Sequence, residues 1–304
     1  MTKTLLVTGA AGFIGPFFIA HAIKKGYRII IVDLKEPVYA KKSGRVIFIP
    51  CDLSNPRDLK KLEKINSPLN LVHMGAFVPH VPSQEEMFIK KIFAVNLKGT
   101  MDLLDVLGDR IEKAYYVSTL EVYGLPRYLP IDEKHPANPV SFYGISKLYA
   151  EKYLSLFCQA KNIPYAILRL SCIYGPGEEY ARAIPNFIKT ALSNQAIKIY
   201  GNGQDKRDYL YVDDAAGALL NSVENDIRGI CNIVSGRSYK IIDVAKRIVK
   251  LSRSKSKITF LPRKKKLYDL IFDASRIKQL LKFKPETSIE EGLEREISWC
   301  RKMS

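Results

Sequence analysis

Residues 4–15 read TLLVTGAAGFIG. The first six have the composition of a buried β-strand, and an apolar-periodic stretch running to about Lys25 follows the last glycine. Between them Gly9, Gly12 and Gly15 fall in the spacing GxxGxxG. Glycines at those places let the chain turn tightly and bring its backbone close to a pyrophosphate. The helix that opens there offers unpaired N–H groups and a partial positive charge. Strand before and helix after is the context the motif needs. Gly9, Gly12, Phe13, Ile14 and Gly15 are therefore candidate dinucleotide contacts. Asp33 ends the next strand-like run, RIIIVD (28–33). An acid there can accept hydrogen bonds from adenosine ribose hydroxyls and repels a 2′-phosphate, which favours NAD over NADP. Lys35 nearby softens that preference. Asp52, with Leu53 beside it, follows a third strand, RVIFIP (45–50), and fits either the adenine edge or a helix cap.

The same rhythm continues outward. LNLVHM (69–74), KAYYVST (113–119) and PYAILRL (164–170) read as further strands. Helical patterns lie at 55–65, at about 85–107 and from near Val140 to about Ala160. Near-continuous apolar strands alternating with helices predict an α/β fold, a Rossmann-type doubly wound parallel sheet covered on both faces. After about 171 the rhythm breaks at YGPGEEY (174–180). Helix 183–193, strand IKIYG (197–201) and a turn-rich GNGQDKRDY come next. A helix over 212–225 with Asp213 as N-cap, and a strand CNIVSG (231–236), return to the first pattern. Helix 240–251, strand KITFL (257–261) and helices near 274–281 and 288–300 complete the chain. The expected division is a dinucleotide-binding domain of residues 1–170 plus about 212–236. A smaller α/β substrate-binding lobe takes 171–211 plus 237–304.

With 304 residues, 47% hydrophobic and 26% charged, the chain is of ordinary globular composition. No apolar run reaches the ~18 residues of a membrane span. The glycines and proline of the N-terminal stretch favour strand, loop and helix over a leader. Five scattered cysteines give no CxxC pair, and four scattered histidines add no metal cluster, so no metal is expected. A reducing, cytoplasmic location fits such cysteine usage. The net charge of +17 suits an anionic partner. Its one dense run, Arg263 to Lys266, has no interleaved aromatics and reads as a solvated loop. No nucleic-acid-binding signature accompanies it.

Tyr143-Gly-Ile-Ser-Lys147 gives YxxxK at the start of a helix. Residues i and i+4 share a face, so the ammonium can lie near the phenol, lower its pKa and make it a usable base. Thr119, at the end of a sheet strand, stands where open α/β sheets bind ligands. Together these residues resemble the extended short-chain dehydrogenase/reductase family, the NAD-dependent sugar-nucleotide epimerases and dehydratases. The resemblance runs through VTGAAGFIG (7–15), Asp33, CDL (51–53), LVHMGAF (71–77), AVNLKGT (94–100), VSTLEVYG (117–124) and YGISK (143–147). It continues through LRLSCIYGPG (168–177), IYGNGQDKRDYLYVDDAA (199–216) and EEGL (290–293).

The resemblance implies NAD as cofactor and a nucleotide-diphosphate sugar as substrate. Tyr143 becomes the acid/base on a sugar hydroxyl, and Lys147 the holder of the nicotinamide ribose. Thr119 becomes the hydrogen-bonding partner of the reacting oxygen. Arg207 matches an arginine used on the substrate diphosphate, and its bland alternative is an ion pair with Asp205 or Asp208. Cys172 stands where relatives often carry an asparagine that contacts the phosphates, which is a departure. Related 4,6-dehydratases carry Asp-Glu after the Thr. Here Leu120 replaces that Asp and cannot donate a proton. Thr119-x-Glu121 also resembles UDP-glucuronate decarboxylases, but their C-terminal arginine for the sugar carboxylate has an apolar counterpart here, Leu270 or Ile271. Arg263 is the remaining candidate. What remains is oxidation at C4, completed as 4-epimerisation. Glu121 is expected to accept hydrogen bonds from backbone N–H groups of its turn, with catalysis as the alternative. The resemblance further implies a homodimer through the helices near 85–107 and 141–160. A ketosugar reductase, or a non-catalytic NAD-binding regulatory protein on the same fold, stays open at this level.

Overall fold

A computed structural model describes residues 4–38, 44–79, 82–263 and 268–303. Along the chain come β1 (Thr4–Thr8), α1 (Gly15–Lys24), β2 (Arg28–Asp33), β3 (Val46–Pro50), α2 (Pro56–Leu59), β4 (Leu69–His73), α3 (Ile89–Phe93), α4 (Gly99–Leu107), β5 (Ile111–Thr119), α5 (Phe142–Ala160) and β6 (Tyr165–Leu170). They are followed by β7 (Cys172–Tyr174), α6 (Ala183–Leu192), β8 (Ile197–Tyr200), β9 (Lys206–Tyr211), α7 (Val212–Glu224), β10 (Gly229–Ile233), β11 (Ser238–Lys240), α8 (Ile241–Ser252), β12 (Ile258–Leu261), α9 (Ser275–Leu281) and α10 (Ile289–Met303).

Seven strands form one parallel sheet in the order β10-β6-β5-β4-β1-β2-β3. The order reverses beside β1, so the glycine loop leaves the sheet at a topological switch point, where such folds bind ligands. Successive side chains of a strand point to opposite faces. Leu5 and Val7 accordingly join one core with Phe18 and Leu219, while Leu6 joins the other with Leu103 and Leu154. Burial on both faces is what makes these strands read as continuous apolar runs.

The C-terminal half adds a three-stranded sheet, β11-β9-β7, and a parallel pair, β12-β8. Three segments differ from expectation. The segment read as turn-rich carries β9, whose Lys206 and Arg207 are partly covered by the neighbouring segment at Tyr268–Leu270. Asp213 does not cap α7: the N-cap is Tyr211, and the Asp213 carboxylate lies 2.8 Å from His21 Nε2 on α1. The single helix expected over 85–107 is a 3₁₀ segment, then α3, a π-helical turn at Ala94–Lys98, and α4. Of the basic run, residues 264–266 lie outside the described residues. No described helix is long and apolar enough to cross a membrane.

Candidate active site

The loop after β1 is held by close packing. Gly9 has φ +73°, and a Cβ there would lie 2.6 Å from the Gly75 nitrogen. At Gly15 a Cβ would fall 2.0 Å from the Ala10 oxygen. No side chain caps α1 at Ile14, so its first-turn amides are presented to the space above the sheet. Asp33 closes the far side, its carboxylate accepting from the Ala11 and Leu34 N–H groups at 2.8 and 2.7 Å. Each oxygen retains a lone pair for a further donor. Asp52 does not cap the helix that follows, whose N-cap is Asn55; it closes the turn before it, accepting from the Ser54 N–H and hydroxyl.

These groups line a cleft of about 330 Å³. All of Gly9, Gly12, Phe13, Ile14, Gly15, Asp33, Asp52 and Leu53 border it, and so do Thr119, Tyr143 and Lys147. A glycine cradle against bare helix amides, with a carboxylate at the end of β2, fits a dinucleotide.

Tyr143 sits in the first turn of α5, which begins two residues later than its expected start because Ser141 is the N-cap, its Oγ accepting from the Gly144 N–H at 3.0 Å. The Tyr143 N–H donates to Glu85, and its carbonyl accepts from Ser146 Oγ at 2.8 Å. Asn96, in the π-helical turn, ties this turn to the cofactor side. Its side chain exchanges two hydrogen bonds with the Phe77 backbone and donates to Ser146 Oγ. His73 does similar work below the glycine loop. Its Nδ1 lies 2.6 Å from Thr8 Oγ1, which also accepts from the Gly75 N–H, and its Nε2 lies 2.8 Å from Thr100 Oγ1.

The expectation that Lys147 lowers the Tyr143 pKa is not met by the protein's own groups. Burial and then the Glu121 charge push Tyr143 above the ordinary phenol range, and the cation opposing them is Arg182. Lys147 is itself pulled down to about 7 by burial, with Glu151 opposing. The i, i+4 spacing brings the two residues to one cleft but says nothing of their desolvation.

Leu120 is buried in the core with Val122, so the apolar residue between Thr119 and Glu121 faces away from the cleft. Thr119 Oγ1 accepts from the Glu121 N–H at 3.3 Å. The Glu121 carboxylate does not serve the turn's backbone as expected. It accepts from Ser141 Oγ at 2.7 Å, which couples it to the cap of α5. Although it opens to solvent, its recess is crowded, and desolvation raises its pKa against the pull of Ser141 and Arg182.

Arg207 and Cys172 lie on the smaller sheet and do not border the cleft. Arg207 Nη1 donates to the Lys206 and Tyr268 carbonyls, both at 2.8 Å. The ion pairs considered for it do not form: Asp205 pairs with Arg263 at 2.7 Å, and Asp208 accepts from the Ser235 and Gly236 N–H groups. Arg263 is thereby held away from the cleft. Burial pushes the Cys172 thiol up to about 11 against the pull of Arg207 and Arg182. Leu270 and Ile271 contribute backbone bonds, to the Lys206 oxygen and the Ile131 N–H.

Arg182 was not singled out by sequence, yet it borders the cleft and faces Tyr143, Glu121 and Cys172 electrostatically. Its ion pair with Glu178 is long, 3.7 Å. No local motif marks it, because its position depends on how the segment after β7 folds back.

Residues 5–234 match the model of the NAD dependent epimerase/dehydratase family. A putative UDP-glucose 4-epimerase of Methanocaldococcus jannaschii is 33% identical over 308 residues, covering 98% of both chains. A UDP-N-acetyl-alpha-D-glucosaminuronate decarboxylase of Bacillus cytotoxicus is 30% identical over 324 residues, covering 100% of this chain and 99% of its own. The crystal structure of UDP-glucuronic acid 4-epimerase from Bacillus cereus, in complex with UDP-glucuronic acid and NAD, superposes with a TM-score of 0.87. It is 28% identical and covers 99% of this chain and 100% of its own.

Proposed function

Because the chain belongs to the NAD dependent epimerase/dehydratase family, we propose that it is an NAD-dependent nucleotide-diphosphosugar 4-epimerase. The observation that carries this reading is the meeting of Thr119, Tyr143 and Lys147 with the glycine loop in one cleft, while Leu120 is turned into the core. Bound NAD supplies the hydride acceptor and donor. Tyr143 exchanges the proton of the sugar C4 hydroxyl, Thr119 hydrogen-bonds that oxygen, and Lys147 holds the cofactor ribose. Arg182 and Lys147 make the cleft wall cationic, which suits a substrate carrying two phosphates. With no acid at position 120, elimination of water by the dehydratase route has no proton donor.

A second reading, decarboxylation of a sugar acid, is favoured by one observation. Glu121 and Arg182 both face Tyr143, so an acid and a cation stand beside the carbon that would bear the ketone. The five cysteines are free, which supports a reducing cytoplasmic setting. Tyr149 and Leu156 are exposed on α5, which supports its pairing with a second copy.

The test is incubation of the purified protein, without added reductant, with UDP-, GDP- and dTDP-sugars including UDP-glucuronate, followed by chromatography and mass spectrometry. A new isomer of unchanged mass is expected. Loss of carbon dioxide would move the protein to the decarboxylases, and turnover of keto-sugars only on adding NAD(P)H would make it a reductase.

A further inference from the structure

Lys147 poses an electrostatic problem. Its side chain is 1% exposed, yet holding a ribose and neighbouring a phenol both call for a cation. Glu151, one turn along α5, shares its helix face. Both Glu151 oxygens are already committed to Arg169 of β6, Nε to Oε1 at 3.0 Å and Nη2 to Oε2 at 2.7 Å. That bidentate fork uses the favourable geometry of the carboxylate. His73 of β4 is the next titratable neighbour, and it is neutral. Burial and the nearby ammonium hold its pKa down to about 3. Tyr143, on the same helix as Lys147, has its own pKa raised by burial and the Glu121 charge. Among the described residues no hydrogen bond or ion pair reaches the Lys147 nitrogen.

What does meet it is an aromatic face. Lys147 Nζ lies 4.1 Å from the ring centroid of Tyr116, which β5 buries completely three residues before Thr119. The ring is uncharged: burial, then Glu151 and Tyr143, push the Tyr116 pKa well above its ordinary value. The attraction therefore comes from the π face and not from a phenolate. Such contacts are strongest where water is excluded.

We propose that the face of Tyr116 is the counter-charge of Lys147, stabilising its ammonium at the cleft wall, so that Tyr116 is a positioning residue for the Tyr143–Lys147 pair. The charge of Lys147 is finely balanced, since burial draws its pKa to about 7. A contribution of the size expected for a desolvated cation–π contact moves that balance by on the order of one pH unit. Only the activity readout of the following test rests on the epimerase reading. The titration stands without it.

The experiment follows the Lys147 side-chain ¹³Cε resonance, assigned by its loss in Lys147→Met, through a pH titration. Wild type, Tyr116→Phe and Tyr116→Leu are compared, with the alkaline limb of kcat/KM measured alongside. Tyr116→Phe keeps the ring and is expected to titrate with wild type. Tyr116→Leu is expected to titrate about one pH unit lower, and the alkaline limb to move with it. No shift in Tyr116→Leu, or an equal shift in Tyr116→Phe, overturns the proposal. Should Tyr116→Leu fail to fold, trifluorophenylalanine at position 116 weakens the ring quadrupole at nearly constant shape. The Lys147 titration must then fall, and an unchanged titration overturns the proposal. A Lys147 shift in a protein that turns over no sugar nucleotide would sink the epimerase reading and leave this one standing.

Discussion

Replacing Glu296 by Gln should stabilise the protein, and by more as the pH rises. Glu296 on α10 is 1% exposed and Glu178, after β7, is 2% exposed. One oxygen of each, Glu296 Oε2 and Glu178 Oε1, has no hydrogen-bond partner among the described residues. Burial, then the Glu178 charge, raise the Glu296 pKa from 4.5 to about 8, against the pull of the Gly175 backbone. Glu178 is raised to about 7, again chiefly by burial. Between pH 4.5 and pH 8 the folded chain therefore holds a proton on Glu296 that the unfolded chain releases. Where the unfolded state binds fewer protons, stability falls with rising pH. At ~1.4 kcal/mol per pH unit the penalty is about 1 kcal/mol at pH 5 and about 3 kcal/mol at pH 7. Gln removes the titration and keeps an oxygen for the Gly175 N–H. With an unfolding entropy of ~2.1 cal/mol/K per residue, Tm should rise by about 1.5 °C at pH 5 and about 5 °C at pH 7. Circular dichroism melts of both proteins at the two pH values measure this. A gain that is equal at both, or larger in acid, would refute the reasoning.

Three further outcomes are expected. Tyr143→Phe should lower kcat by ~10²–10⁴ while leaving the melting temperature within a degree or two, because only a proton carrier is removed; a kcat within threefold of wild type would rule Tyr143 out as the acid/base. Gly9→Ala should weaken NAD binding and cost about 1–3 kcal/mol of stability, since it forces a side chain into a positive-φ position against the Gly75 backbone; calorimetry and urea melts test both. Asp33→Ser should weaken NAD binding by ~10–100-fold and narrow its preference over NADP, since it removes both a charged acceptor and the repulsion of a 2′-phosphate. An unchanged NAD/NADP ratio would assign Asp33 to the loop alone, through its bonds to Ala11 and Leu34.

The residues that converge on the cleft are legible in the sequence because their signals are local. A glycine spacing, a strand end and a helix start each act within a few residues, and a parallel sheet buried on both faces writes itself as apolar runs. The smaller sheet was harder to read. β7 and β11 have three residues each, too few for a period to emerge, and β9 opens with Lys206 and Arg207, whose cover comes from the distant segment at Tyr268–Leu270. Side-chain partners failed for the same reason. Asp213 looks like a cap until His21, 192 positions away, arrives beside it. Glu121 finds Ser141, and Arg207 finds two carbonyls in place of its acidic neighbours. The sign of the Tyr143 shift depends on desolvation, which spacing does not encode.

Only Ser171 separates β6 of the large sheet from β7 of the small one. Thr119, paired in register beside Leu170, and Cys172 are therefore coupled through a single-residue splice of the chain. Any attempt to graft the smaller sheet of one relative onto the large sheet of another has to carry this splice as an indivisible piece. Cutting at residue 171 would disturb the pairing of Thr119 and a strand of the neighbouring sheet in a single step. Recombination in this chain is better aimed at the segment between β7 and α6, which borders the cleft through Arg182 and leaves the splice intact.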